Sequence, residues 1–229
     1  NLAFLRKIIA CPNEDAIMTR PYRSALYIPG SKDRALEKAR GLATDVILFD
    51  LEDAVAPDEK PGARATLAAQ LEEGGYGPRL KIVRINGLDT EWGKEDAAAV
   101  AGMECDGVLL PKVNSTADVD ALAALVPDMP IWAMMESPLG ILNAESIAAP
   151  PRVVGFVVGT NDLAKDLTTR GRADRAPLWT SLQLCVLAAR AHGVVVLDGV
   201  YDAVQDEDGQ RQQCEPGKGC GVGGTAPIQ

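Results

Sequence analysis

Histidine is almost missing from this chain: its 229 residues include one, His192. That residue closes a helical stretch just before Gly193, a common C-terminal position of helices. A Ser-His-Asp or Cys-His mechanism therefore lacks its base. Cysteine is sparse and unpaired in pattern. Cys11, Cys105, Cys185, Cys214 and Cys220 are scattered, odd in number and form no CxxC. Neither a disulfide framework nor a zinc site follows from them. Cys105 and Cys185 fall in apolar stretches and read as small buried residues. No apolar run reaches the ~18 residues of a membrane span. The opening segment, residues 1–11, is too short and interrupted for a signal peptide, so cytosol is the default expectation and no membrane partner is expected. Basic excess is missing too. A formal net charge of −9 argues against general nucleic-acid binding, although a local Arg/Lys cluster can still hold an anionic small molecule. Finally, no Gly-rich phosphate loop follows the first apolar run. The stretch Gly219–Gly224 matches dinucleotide-loop spacing, but it follows no strand and opens no helix.

What is present is a repeated unit: a short apolar run, a loop, then an amphipathic stretch. The apolar share of 47% and charged share of 24% are ordinary for a globular protein. The length suits one large α/β domain or two small ones and allows a sizeable core. Strands are predicted at Ser24–Gly30, Val46–Asp53, Lys81–Gly87, Gly107–Val113, Ile131–Ser137, Gly155–Asp162 and Val194–Val200. They are near-continuous Val/Ile/Leu runs, as parallel strands buried on both faces are. Helical stretches such as Asp33–Leu42, Ala63–Glu73, Ala117–Leu125 and Leu178–Ala191 lie between them; in the last, Leu178, Leu182, Cys185 and Ala189 recur at helical spacing. This alternation means a doubly wound sheet or a (β/α)8 barrel. The number of units, the missing phosphate loop and the polar groups that close strand after strand favour a (β/α)8 barrel of the TIM type. The expected organisation is an N-terminal extension over residues 1–17 ahead of Met18, a barrel over residues 18–205, and a truncated or divergent C-terminal segment over residues 206–229. The last strand is expected to be incomplete.

The residues able to do chemistry cluster where those strands end, the edge at which barrel enzymes carry their catalytic groups. Asp50, Glu52 and Asp53 close the second strand, Arg84 the third, Lys112 the fourth, Glu136 the fifth and Asp162 the sixth. Carboxylates at strand ends are often turn formers or helix caps. That reading rivals a functional one for Asp162 and is at least its equal for Asp198, which precedes Gly199. Glu136 is different, because Glu is a poor cap and burying it unpaired is costly. Glu136 and Asp162 together could share one Mg²⁺ and leave positions for substrate oxygens and water. Arg84 reads either as a structural ion pair with Glu52 or Asp53, or as a fork for a substrate carboxylate or carbonyl oxygen, the latter preferred. Arg23, Lys32 and Arg34 flank the first strand and could meet phosphates.

Seven segments in order carry a family resemblance: Arg23–Gly30, Phe49–Val55, Val83–Asn86, Leu110–Val113, Met135–Gly140, Gly159–Ala164 and Leu197–Tyr201. Over about residues 20–215 the chain resembles the citrate lyase β-subunit and malyl-CoA lyase family of CoA ester lyases. The resemblance implies a (β/α)8 barrel assembled as a homotrimer or homohexamer, with a CoA thioester and a 2-oxo acid as small-molecule partners and Mg²⁺ as cofactor. It implies Glu136 and Asp162 as metal ligands, with Glu136 also beside substrate. It further implies Arg84 as the substrate-binding arginine, and Asp50, Glu52 and Asp53 as the acidic group that holds metal-bound water and orients that arginine. Arg23, Lys32 and Arg34 lie where the family binds CoA. The leading expectation is accordingly Mg²⁺-dependent C–C cleavage of a 3-hydroxyacyl-CoA such as malyl-CoA or citryl-CoA. The alternatives are hydrolysis of malyl-CoA to malate and CoA, and an inactive or merely ligand-binding relative. The resemblance breaks after Cys214–Gly217. Gly223 and Thr225 stand where the family carries an aspartate and a lysine, and in malyl-CoA lyases that aspartate serves the acid/base chemistry from a neighbouring subunit.

Overall fold

A computed structural model describes residues 22–170, 172, 174–199 and 222–225. The extension expected over 1–17 and most of the segment 206–229 lie outside the described residues. Eight parallel strands pair strictly in chain order. They are β1 (Ala25–Pro29), β2 (Val46–Asp50), β3 (Leu80–Arg84), β4 (Gly107–Leu110), β5 (Ile131–Met135), β6 (Val153–Val158), β7 (Val195–Asp198) and a two-residue β8 (Gly224–Thr225). Between them run α1 (Asp33–Ala39), α2 (Lys60–Glu73), α3 (Gly93–Val100), α4 (Thr116–Leu125), α5 (Pro138–Leu142), α6 (Ala144–Ala148), α7 (Thr160–Asp166) and α8 (Trp179–His192).

The continuous apolar character of the strands follows from their having two covered faces. Along β2, all five residues are buried. Ile47 and Phe49 belong to the cluster shared with helix residues such as Leu36 and Leu67. Val46 and Leu48 join Ala25, Tyr27, Ile82 and Trp132 in a second, inner cluster. The period-2 alternation of a strand makes this division. The sheet is curled. A flat sheet spaces strands ~4.8 Å apart, which would hold β1 and β5 nearly 20 Å from each other. Yet Tyr22, just ahead of β1, meets Trp132 of β5 edge-on with ring centroids 5.9 Å apart.

Local signals set the helix ends. Ser115 and Asp118 form a reciprocal capping box at α4. Ser137 caps α5 by accepting from the Gly140 N–H at 3.0 Å. Gly193, at φ 72°, takes the left-handed conformation that ends α8. One expectation changes. Strand six stops at Val158, four residues short of the predicted end, and Asp162 is the third residue of α7. The run Thr160-Asn161-Asp162 is helix-starting chemistry, and it overrides the apolar run before it. The last strand is short among the described residues: the two residues Gly224 and Thr225 pair with Leu197 and Asp198.

Candidate active site

The C-terminal edge of the sheet holds a cavity of about 320 Å³, with Tyr27, Asp50, Arg84, Met134, Glu136 and Asp162 in its wall. Tyr27, Asp50, Arg84 and Met134 continue the inward-facing rows of β1, β2, β3 and β5. The hydrophobic interior thus gives way to charge one layer from the rim.

Arg84 is buried at 6% exposure. Its fork grips Asp50: Nε donates to Oδ1 at 2.7 Å and Nη2 to Oδ2 at 2.6 Å. Nη1 faces Asp53 Oδ2 at 3.2 Å and Glu52 Oε2 at 3.1 Å. Its guanidinium also lies over the Tyr27 ring, 4.9 Å from the centroid. Burial alone would lower the Arg84 pKa, but the hydrogen bonds and charge of Asp50 outweigh it and the net shift is upward. Asp50 therefore occupies the bidentate edge that sequence reasoning reserved for a substrate carboxylate. Asp50 also accepts from the Glu52 and Ala54 N–H groups, both at 2.9 Å, which folds the acidic loop back over the arginine.

Glu136 follows β5 directly and is 2% exposed. One oxygen accepts from the Lys112 N–H at 2.7 Å. Lys112 adopts φ 52° to aim that N–H, an uncommon conformation for a non-glycine residue. Burial, then the charges of Glu52 and Asp162, push the Glu136 carboxyl up to about 8. Burial likewise pushes Glu52 up to about 7, partly offset by Arg84. For Lys112, burial pulls downward but the surrounding carboxylates win, so its ammonium is held above the ordinary value. The cavity is thus short of positive charge. Gly159 lies against Glu136: a Cβ there would sit 2.5 Å from Oε2, so glycine keeps that carboxylate edge clear. Among the described residues no cluster of three or more His, Cys, Asp or Glu is placed to hold a metal. The donor set available is Glu136 and Asp162, two hard oxygen donors in the same wall. Such a set fits a cation that keeps several waters, as Mg²⁺ does.

The remaining expectations divide. Lys32 and Arg34 are exposed just beyond the C-terminal end of β1, where Lys32 pairs with Glu59 at 2.7 Å. Arg23 precedes β1, at the opposite edge, and pairs with Asp45 at 2.8 Å. The structure therefore does not bring the three cations together. Asp198 is fully buried in a two-pronged pair with Arg175, at 2.8 and 2.5 Å. His192 bonds Glu145 at 2.9 Å, on the helical layer. Sequence reasoning missed Lys60. It is buried, and it donates to the Leu51 and Glu52 carbonyls at 3.1 and 2.7 Å and to Asn86 Oδ1 at 2.7 Å. Asn86 in turn bonds the Leu51 carbonyl and Asp96. This network pins the acidic loop from beneath. Its only signal was a lysine and an asparagine beside otherwise readable elements.

Residues 23–229 match the model of the HpcH/HpaI aldolase/citrate lyase family. This chain belongs to that family. Within the family it is similar to proteins named (3S)-malyl-CoA thioesterase from two strains of Cereibacter sphaeroides. They are 61% and 58% identical over 213 residues, which span 93% of this chain and 75% of each relative. The L-malyl-CoA/beta-methylmalyl-CoA lyase of the same species is 33% identical over 91% of this chain and 76% of its own length. Among solved structures, the citrate lyase beta subunit of M. tuberculosis complexed with oxaloacetate and magnesium superposes with a TM-score of 0.81 at 31% identity, covering 93% of both chains. The M. tuberculosis protein in complex with magnesium, acetoacetate and coenzyme A gives 0.79 at 31% identity, over 91% of this chain and 77% of that one. These comparisons correct the leading functional expectation. Lyases share the fold and about a third of the residues, whereas thioesterases share well over half. C–C cleavage therefore does not stand as the leading reading.

Proposed function

We propose that this chain hydrolyses (3S)-malyl-CoA to malate and CoA. The carrying observation is the 61% identity, over 93% of the chain, to a protein named for that activity. The cavity is compatible with the reaction. Glu136 and Asp162 would hold Mg²⁺, which would supply a Lewis acid for substrate oxygens. Arg84, anchored by Asp50, places fixed positive charge at the cavity wall where negative charge develops. Glu52, with its carboxyl at about 7, is matched to accepting a proton from water near neutral pH. The water oxygen bonds to the thioester carbon, the C–S bond breaks, and the proton leaves with the thiol of CoA. Lys32 and Arg34 extend from the same edge and would face the phosphates of the cofactor portion.

We further propose that the protein closes its sheet as a (β/α)8 barrel and assembles as a homotrimer or homohexamer. Leu142 and Leu187, 77% and 68% exposed, supply apolar surface that an assembly would cover.

Incubation with malyl-CoA and Mg²⁺ tests the reading directly. Equal release of malate and free CoA is expected. Glyoxylate and acetyl-CoA as the products, or no thiol release, would reject it.

A further inference from the structure

Tyr27 is the third residue of β1, in the inner cluster with Leu48, Ile82 and Met134. It lines the cavity beside Asp50, Arg84 and Glu136. Its ring supports the Arg84 guanidinium. Its hydroxyl does nothing comparable. The residue is 8% exposed, and the hydroxyl oxygen is buried without a hydrogen-bond partner among the described residues. Native proteins keep few such groups, because a buried polar atom left unpaired is destabilising. Phenylalanine would give Arg84 the same ring and fill nearly the same space without that penalty. The charged groups around it are already engaged: Asp50 accepts four hydrogen bonds, two of them from Arg84, and Glu136 accepts from Lys112. Burial holds the phenol protonated well past neutrality, so its hydroxyl is available as a donor. A hydroxydicarboxylic thioester brings carbonyl, hydroxyl and carboxylate oxygens, which are the acceptors this donor lacks.

We infer that Tyr27 is a substrate-contacting residue whose hydroxyl donates a hydrogen bond to an oxygen of the acyl group bound in this cavity. The inference rests on the acyl-CoA reading above. It makes Tyr27 a specificity element as well, since a site with a dedicated donor disfavours acyl groups that leave it unpaired.

Tyr27→Phe removes one oxygen atom and keeps the ring beneath Arg84. The variant should melt at or above the parent temperature, because no hydrogen bond among the described residues is lost. Its kcat/KM for malyl-CoA should fall about tenfold or more. Unchanged kcat/KM would overturn the inference, and so would a lowered melting temperature, which would reveal a structural partner for the hydroxyl. If the parent itself releases no CoA, the thioesterase reading fails separately. Calorimetric titration of parent and variant with malyl-CoA then decides Tyr27: about tenfold weaker binding by the variant supports the contact, and equal affinities reject it.

Discussion

Glu136 and Glu52 show how much a single side chain's position changes its chemistry. Both carboxyls are raised, to about 8 and about 7, chiefly by burial and then by neighbouring acids. The unfolded chain would lose those protons near pH ~4.3. Between that value and about 8 the folded, metal-free protein binds more protons than the unfolded one. Stability contributed by the neutral forms is full below pH ~4.3 and is lost as pH rises through the folded-state values. The melting temperature in chelator should therefore fall from about pH 5 to about pH 8. Mg²⁺ should raise it, most strongly at the alkaline end, because ionised carboxylates are the ligand form. Glu136→Gln should abolish that Mg²⁺-dependent rise together with Mg²⁺-dependent turnover. Thermal scans at several pH values, with and without Mg²⁺, check both statements. Glu136 was legible in the sequence because a carboxylate closing an apolar strand has few innocent explanations. Its raised pKa was not, since that arises from burial and from Glu52 and Asp162, 84 and 26 positions away in the chain, which the fold brings near it.

Among the elements, the loop between β2 and α2 matters most. Asp50 is the last residue of β2, and Glu52 and Asp53 lie in the turn that follows. That turn is held by Arg84 above and by Lys60 and Asn86 below. Lys60→Met would leave the Glu52 carbonyl and Asn86 Oδ1 without this donor in a buried setting, at about 1–3 kcal/mol for each group left unpaired. Urea denaturation should accordingly show a loss of about 2–4 kcal/mol, with reduced turnover in the fraction that folds. A surface lysine changed in this way would shift stability by no more than about 0.5 kcal/mol. The strands themselves were readable, because burial on both faces writes Val, Ile and Leu without interruption. Lys60 was not, because its neighbours Asp58, Glu59 and Pro61 make an ordinary helix start. Only packing shows that this one cation turns inward. The same limit explains Asp162, which the apolar run carried into a strand and helix-start chemistry moved into α7.

At the scale of the whole molecule, the question is how the curled sheet ends. β8 pairs with β7, and the Gly223 N–H donates to the Val196 carbonyl at 2.9 Å. A Cβ at Gly224 would overlap the Tyr22 carbonyl oxygen. This short strand is thus wedged between β7 and the segment that leads into β1. Gly224→Val should destabilise the protein by about 2 kcal/mol or more, in line with overpacking a tight contact. Equilibrium unfolding of the variant measures this. An unchanged midpoint would mean that β8 is peripheral. The sequence leads to an incomplete last strand but does not place it, because two residues carry no periodicity.

The sequence by itself determined the α/β alternation, the parallel sheet and the rim on which the carboxylates and Arg84 stand. These depend on local hydrophobic pattern and on the rule that parallel strands end together at one edge. The family segments, read in order, also pointed to the family. Tertiary structure decided which groups are engaged with each other. Asp50 takes the fork of Arg84, Lys60 lies beneath the acidic loop, Arg23 stands at the far edge, and the Tyr27 hydroxyl has no partner among the described residues. Each of these depends on distances between residues far apart in the chain, which only the curvature of the sheet sets.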